Sequence, residues 1–117
     1  MNISYYAYPG IPLSERRPLT ITDEYIIKVV CEHYGFTREM LNKRTRRFEI
    51  VRARFVCWML IKRHIKRYGL ERMGNLFGLA HHTTVHHGVK ALAGHCESDE
   101  GLRRDIAAIS RRIENLN

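Results

Sequence analysis

The chain has 117 residues, with 20 Lys and Arg against 12 Asp and Glu, giving a formal net charge of +8 and a pI near 9.8. That length suits one domain with a single core and leaves no space for a nucleotide-hydrolysing domain beside it, while the surplus of cations demands an anionic partner. A bilayer-spanning run of about eighteen apolar residues is absent, and so is a charged-then-apolar leader, so membrane and secretory classes are set aside and the cytoplasm is the expected compartment.

Residues 1–18 hold all three prolines, Pro9, Pro12 and Pro18, together with Tyr5, Tyr6 and Tyr8, and show no helical period. They are predicted to form an irregular arm ahead of a helical domain over 19–117. Thr22 can cap a first helix, with Asp23 and Glu24 in its first turn and an apolar stripe of Ile26, Ile27, Val30, Cys31 and Tyr34 that ends at Gly35. Thr37 can cap a short second helix through about Leu41. Lys43, Arg44, Arg46 and Arg47 then surround Thr45 in a loop, and Val51, Phe55, Trp58, Met59 and Ile65 mark a long third helix predicted to end near Gly69 as the central buried element. Eleven of the 20 basic residues fall between Lys43 and Arg72, against two acids there, Glu49 and Glu71. Such clustering is the footprint of a nucleic-acid surface.

From Leu70 to Lys90 the pattern changes to a short amphipathic helix, a glycine corner and a second helix. Met73, Leu76 and Phe77 give the first element an apolar face, and Val85, Val89 and Leu92 do the same for the second. Gly78 between them can take a left-handed backbone conformation, which permits the steep crossing of a helix-turn-helix unit. Thr83, His87 and Lys90, with His86 beside them, then face outward, and none is an acid. Such a face suits phosphates and base edges. Ser98, followed by Asp99 and Glu100, is predicted to open a last helix whose stripe is Leu102, Ile106, Ile109, Ile113 and Leu116. No strand pattern or internal repeat appears, so the fold class is all-α, about six helices around one core.

The run Gly78-Leu79-Ala80-His81-His82-Thr83-Thr84-Val85 resembles the Gly-Gly-Arg-Asp-His-Thr-Thr-Val hallmark of the C-terminal DNA-binding domain of the bacterial replication initiator DnaA. Upstream, Ile26 to Leu41 looks like that domain's first helices, Lys43 to Arg47 like its basic loop, and Arg52-Ala53-Arg54 like its Arg-Pro-Arg, so the resemblance extends from about Leu19 to the C-terminus. It implies a Trp-repressor-like helical fold and sequence-specific binding of double-stranded DNA. His82 and Thr83 would touch base edges, and Thr84 would hold a phosphate. Arg52 would enter an A·T-rich minor groove, with Arg54 as the second arginine of the motif. His81 stands where the family usually carries an aspartate, and Ala80 where it carries an arginine. A carboxylate accepts from cytosine N4, whereas a histidine donates more naturally to a purine N7 or guanine O6, so a different preferred base is expected at that position.

Other classes draw less support from the residues. His81, His82, His86 and His87 have spacings that could share a metal, but neither a His-Glu-x-x-His arrangement nor a nearby cysteine or carboxylate completes a site. The three cysteines, Cys31, Cys57 and Cys96, lack Cys-x-x-Cys spacing and read as reduced core residues. His33, His64 and His95 read as packing or surface residues. No phosphate loop or nucleophile elbow occurs, so neither an enzyme nor a nucleotide or other cofactor is expected. A stand-alone relative of the initiator would bind DNA, at the nucleoid, without assembling an ATP-driven filament. It could serve replication or its regulation, transcription, or a mobile element. A protein-interaction or RNA-binding module is the alternative, with the Ile106-Ile109-Ile113 stripe as a dimer seam, although a monomer that uses this stripe as core is favoured.

Overall fold

A computed structural model describes residues 20–78 and 82–115, and among these the chain forms six α-helices and no strand. The elements are α1 (Asp23–Tyr34), α2 (Arg38–Asn42), α3 (Phe48–His64), α4 (Leu70–Asn75), α5 (His82–Ser98) and α6 (Glu100–Glu114). The arm over 1–18 and Leu116 lie outside the described residues.

Local chemistry sets the first boundaries. Thr22 accepts from the Tyr25 amide at 3.1 Å and Thr37 from the Met40 amide at 3.2 Å, which satisfies amide groups that the first turn of each helix leaves unpaired. Gly35 closes α1 at φ +74°, and the Phe36 amide returns to the Cys31 carbonyl at 2.9 Å. The α1 stripe turns inward as expected and gains Val29, while Tyr34 sits half-buried with its hydroxyl donating to Asp105.

The middle of the third helix is buried on every side, Val56 through Ile61 without a break, and Ile50 and Ala53 are buried ahead of it. A helix buried all round belongs at a domain's centre, and α3 indeed packs against α1, α2 and α5, while α4 and α6 lean on α5 and α6 closes on α1. It ends at His64 and not near Gly69, because Ile65 turns extended at φ −119° and Arg67 reverses the chain at φ +62°. Gly69 therefore starts α4 instead of ending α3.

A second boundary also moves. Ser98 is the last residue of α5, and Asp99 is the cap of α6, accepting from the Leu102 amide at 2.9 Å. Leu102, Ile106, Ile109 and Ile113 all point into the shared core, so that stripe closes the fold instead of offering an outer dimer seam. Cys31 and Cys57 are buried thiols, and burial pushes both up from the ordinary cysteine range; Cys96 is half-buried, and all three are unbridged.

Candidate nucleic-acid interface

The helix-turn-helix is α4, a corner at Gly78, and α5. Gly78 has φ +68°, a conformation that a side chain would strain, so the predicted left-handed corner is present. Two side chains from elsewhere in the fold grip the end of α4. Trp58 on α3 donates its indole N–H to the Met73 carbonyl at 2.9 Å, and Arg38 on α2 donates to the Leu76 carbonyl at 2.9 Å while its guanidinium lies 5.6 Å from the centre of the Phe77 ring. Carbonyls at a helix C-terminus run short of intrahelical donors; the Met73 carbonyl takes the indole as a second donor beside the Leu76 amide at 3.2 Å, the Leu76 carbonyl takes the guanidinium, and together they fix where α4 ends.

Helix α5 is anchored through Val85, Gly88 and Leu92, all buried, with Val89 half-buried beside them. Gly88 is the close approach: a Cβ there would stand 2.6 Å from Phe55 Cε1 and 2.7 Å from Cδ1, so α5 meets α3 where only a glycine fits without displacement. The opposite side of α5 carries His82, Thr83, Thr84, His86, His87 and Lys90, all exposed. His86 and His87 lie edge to face with ring centres 5.8 Å apart. The threonine pair is therefore outside the hydrophobic interior. His81, with Leu79 and Ala80, lies outside the described residues.

In the loop between α2 and α3, Lys43, Arg44, Arg46 and Arg47 are exposed, and Thr45 accepts from the Arg47 amide at 3.1 Å to tighten the turn. Their density on one short segment makes this loop a strongly positive element.

The two arginines of the Arg52-Ala53-Arg54 motif are placed differently from their neighbours. Arg54 is only 8% exposed and turns away from solvent, donating to the Leu41 carbonyl at 2.7 Å and to the Lys43 carbonyl. The expectation that it contacts DNA is thus corrected: its guanidinium is spent on the start of the basic loop, which it holds from beneath. Burial pulls its pKa down, and the two carbonyls supply the acceptors that a buried cation requires. Arg52 is half-buried; it donates to Asp99 Oδ2 at 2.6 Å and lies 5.2 Å from the Phe48 ring centre. This hydrogen bond, with that from the Leu102 amide, holds the Asp99 carboxyl below its usual range. A single turn of α3 thus gathers three segments: Arg52 reaches the α5–α6 junction, Arg54 the basic loop, and Phe55 the middle of α5.

Sequence reasoning passed over Gly88, Arg38 and Phe48. Gly88 lies on the Val85–Leu92 face and could have been noticed there as the one position without a side chain. Nothing local signals that Arg38 reaches a carbonyl 38 residues away.

A short helix, a left-handed glycine corner and a longer helix with a buried inner face and an outer face whose first half, Thr83 to Lys90, is exposed and carries no acid define a helix-turn-helix domain. A model of the bacterial dnaA protein helix-turn-helix matches residues 24–92 of this sequence, and the chain belongs to that family. It is 34% identical over 103 residues to the chromosomal replication initiator protein DnaA of Bacteroides fragilis, covering 88% of this chain and 21% of that protein. Against the DnaA of Chloroflexus aurantiacus the identity is 36% over 104 residues, covering 89% of this chain and 22% of the relative. The DnaA of Bacteroides thetaiotaomicron is 27% identical over 114 residues, or 97% of this chain and 24% of that protein. The chain thus spans less than a quarter of the length of these curated relatives.

Proposed function

We propose that this chain binds double-stranded DNA in a sequence-specific manner in the service of chromosomal replication initiation or its control. Helix α5 enters the major groove through His82, Thr83, His87 and Lys90, and Thr84 holds a phosphate. Lys43, Arg44, Arg46 and Arg47 follow the sugar-phosphate backbone, and Arg52 leaves Asp99 to enter the minor groove. His81, which precedes His82 in the sequence, reads a base. The protein acts as a monomer at the nucleoid in the cytoplasm, as a binding module and not as an enzyme.

One observation carries this reading: α5 buries Val85, Gly88 and Leu92 while exposing Thr83, Thr84, His87 and Lys90. A helix so oriented offers donors and a methyl group to base edges, and the fixed corner at Gly78 gives it a defined angle from α4. Clustered cations supply sequence-independent affinity through counterion release, and the helix supplies discrimination.

The test is a salt-titrated binding measurement on a duplex selected from a random pool and on an unrelated duplex. Arg47→Ala weakens binding to both alike and reduces the salt slope by about one, whereas Thr83→Ala costs about 1–3 kcal/mol on the selected duplex alone. Equal loss from Thr83→Ala on every sequence would reduce α5 to a generic clamp. No preference for duplex over single-stranded RNA would refute the proposal.

A further inference from the structure

Phe48 is 61% exposed and is the single large hydrophobic side chain so exposed among the described residues. Its position gives it meaning. Lys43, Arg44, Arg46 and Arg47 immediately precede it, and Arg52, one helical turn later, faces its ring at 5.2 Å. In the free protein Arg52 is also bonded to Asp99 at 2.6 Å, and the ring lies against this arginine at the point of the chain where the cationic loop enters α3.

An apolar ring in the middle of the most basic stretch of a protein has no ordinary structural use there. It fills no core position and is 61% exposed. Five cations around it select a polyanion as the occupant, and a polyanion with apolar surface between its charges is a nucleic acid. On a duplex, that surface is the deoxyribose wall and the base edges of the minor groove, where apolar side chains press between sugars or base steps.

We infer that Phe48 is a DNA contact in its own right, an apolar minor-groove wedge beside Arg52. The inference rests on the duplex-binding reading above. The ring and the arginine form one unit: the guanidinium is drawn by the negative potential of a narrow A·T groove, and the ring takes up the sugar surface at its edge. Phe48 therefore contributes affinity without contributing charge.

That last property gives the test. Wild type, Phe48→Ala, Phe48→Leu and Arg47→Ala are compared on a duplex recovered from a random pool by the wild-type protein, across a salt series, with thermal unfolding as a check of folding. Phe48→Ala is expected to keep the wild-type unfolding midpoint, because the ring is exposed, and to bind about 5- to 20-fold more weakly at every salt concentration with an unchanged slope. Arg47→Ala lowers the slope, and Phe48→Leu recovers part of the lost affinity. The Phe48-dependent part survives exchange of A·T for inosine·cytosine pairs, which keep the A·T minor-groove face, and is lost with G·C pairs, whose guanine amine fills that groove.

Phe48→Ala binding as tightly as wild type would overturn the inference and leave the duplex-binding proposal standing, as would a loss seen only as a reduced slope. A loss appearing on single-stranded DNA and not on the duplex would overturn it in favour of base stacking. Failure of the wild-type protein to prefer any duplex would instead overturn the proposal beneath it.

Discussion

Two glycines on the same helix should respond oppositely to the same substitution. Gly88 and Gly94 both lie inside α5, and alanine at either gains helix propensity of about 1 kcal/mol. At Gly94 the new Cβ meets nothing within 4 Å, so that gain stands. At Gly88 it lands 2.6 and 2.7 Å from two Phe55 ring carbons and 3.1 Å from a third. The ring cannot swing away cheaply, since it is stacked on Trp58 with centres 5.7 Å apart, and Trp58 is itself fully buried. Overpacking of this kind costs about 1–3 kcal/mol, which leaves Gly88→Ala between neutral and about 2 kcal/mol destabilised. The two variants should therefore differ by about 1–3 kcal/mol, or at least roughly 4 °C in Tm for a domain of this size. Calorimetric or circular-dichroism melts of both measure it, and a Phe55→Leu background should shrink the Gly88→Ala penalty, because the two residues are in contact. A Gly88→Ala variant that melts as high as Gly94→Ala would refute the close approach of α3 and α5 on which the placement of the exposed α5 face depends.

Three further outcomes are expected. Arg54→Met should cost about 2–3 kcal/mol by leaving the Leu41 and Lys43 carbonyls unpaired, and Arg54→Lys should not restore the loss because an ammonium lacks the guanidinium fork; urea unfolding of the three proteins tests both. Asp99 has a folded pKa depressed below 3.8, so its contribution to stability is present above that value and lost as pH falls through the lower folded value. Asp99→Asn keeps the α6 cap and should flatten this acid limb in unfolding midpoints followed downward from pH 5, while tightening DNA binding by releasing Arg52. Burial and the 2.7 Å hydrogen bond to Asp23 push Tyr68 up to about 12 from 10.0, so stability should fall as pH rises between those values; Tyr34, raised by burial and by Asp105, acts in the same direction, so Tyr68→Phe should weaken that dependence without abolishing it, and tyrosinate absorbance should lose one late-titrating group.

Features governed by neighbours in sequence were legible from sequence. Thr22 and Thr37 announce caps, Gly35 and Gly78 announce left-handed turns, and the apolar periods of α1, α5 and α6 point inward as their spacing implies. The end of α3 was hidden, because a left-handed arginine at position 67 breaks no local rule strongly enough to be noticed in advance. Ser98 and Asp99 are both good capping residues, and their order was decided by Arg52, 47 residues away from the aspartate it binds. The same distance effect divides the candidate site. The exposed face of α5 followed from periodicity, yet Arg54, one of many arginines in a basic segment, gave no sign that it would turn inward to backbone carbonyls. A cation's surroundings, and not its identity, decide whether it meets solvent, and those surroundings are assembled from distant parts of the chain.

The grip of Arg38 and Trp58 on the Leu76 and Met73 carbonyls bears on portability. The angle between α4 and α5 is enforced by side chains that belong to neither helix, so the hairpin is not a self-sufficient cassette. Transplanted alone onto another scaffold, residues 70–98 would carry the reading face with them but leave behind the struts that aim it.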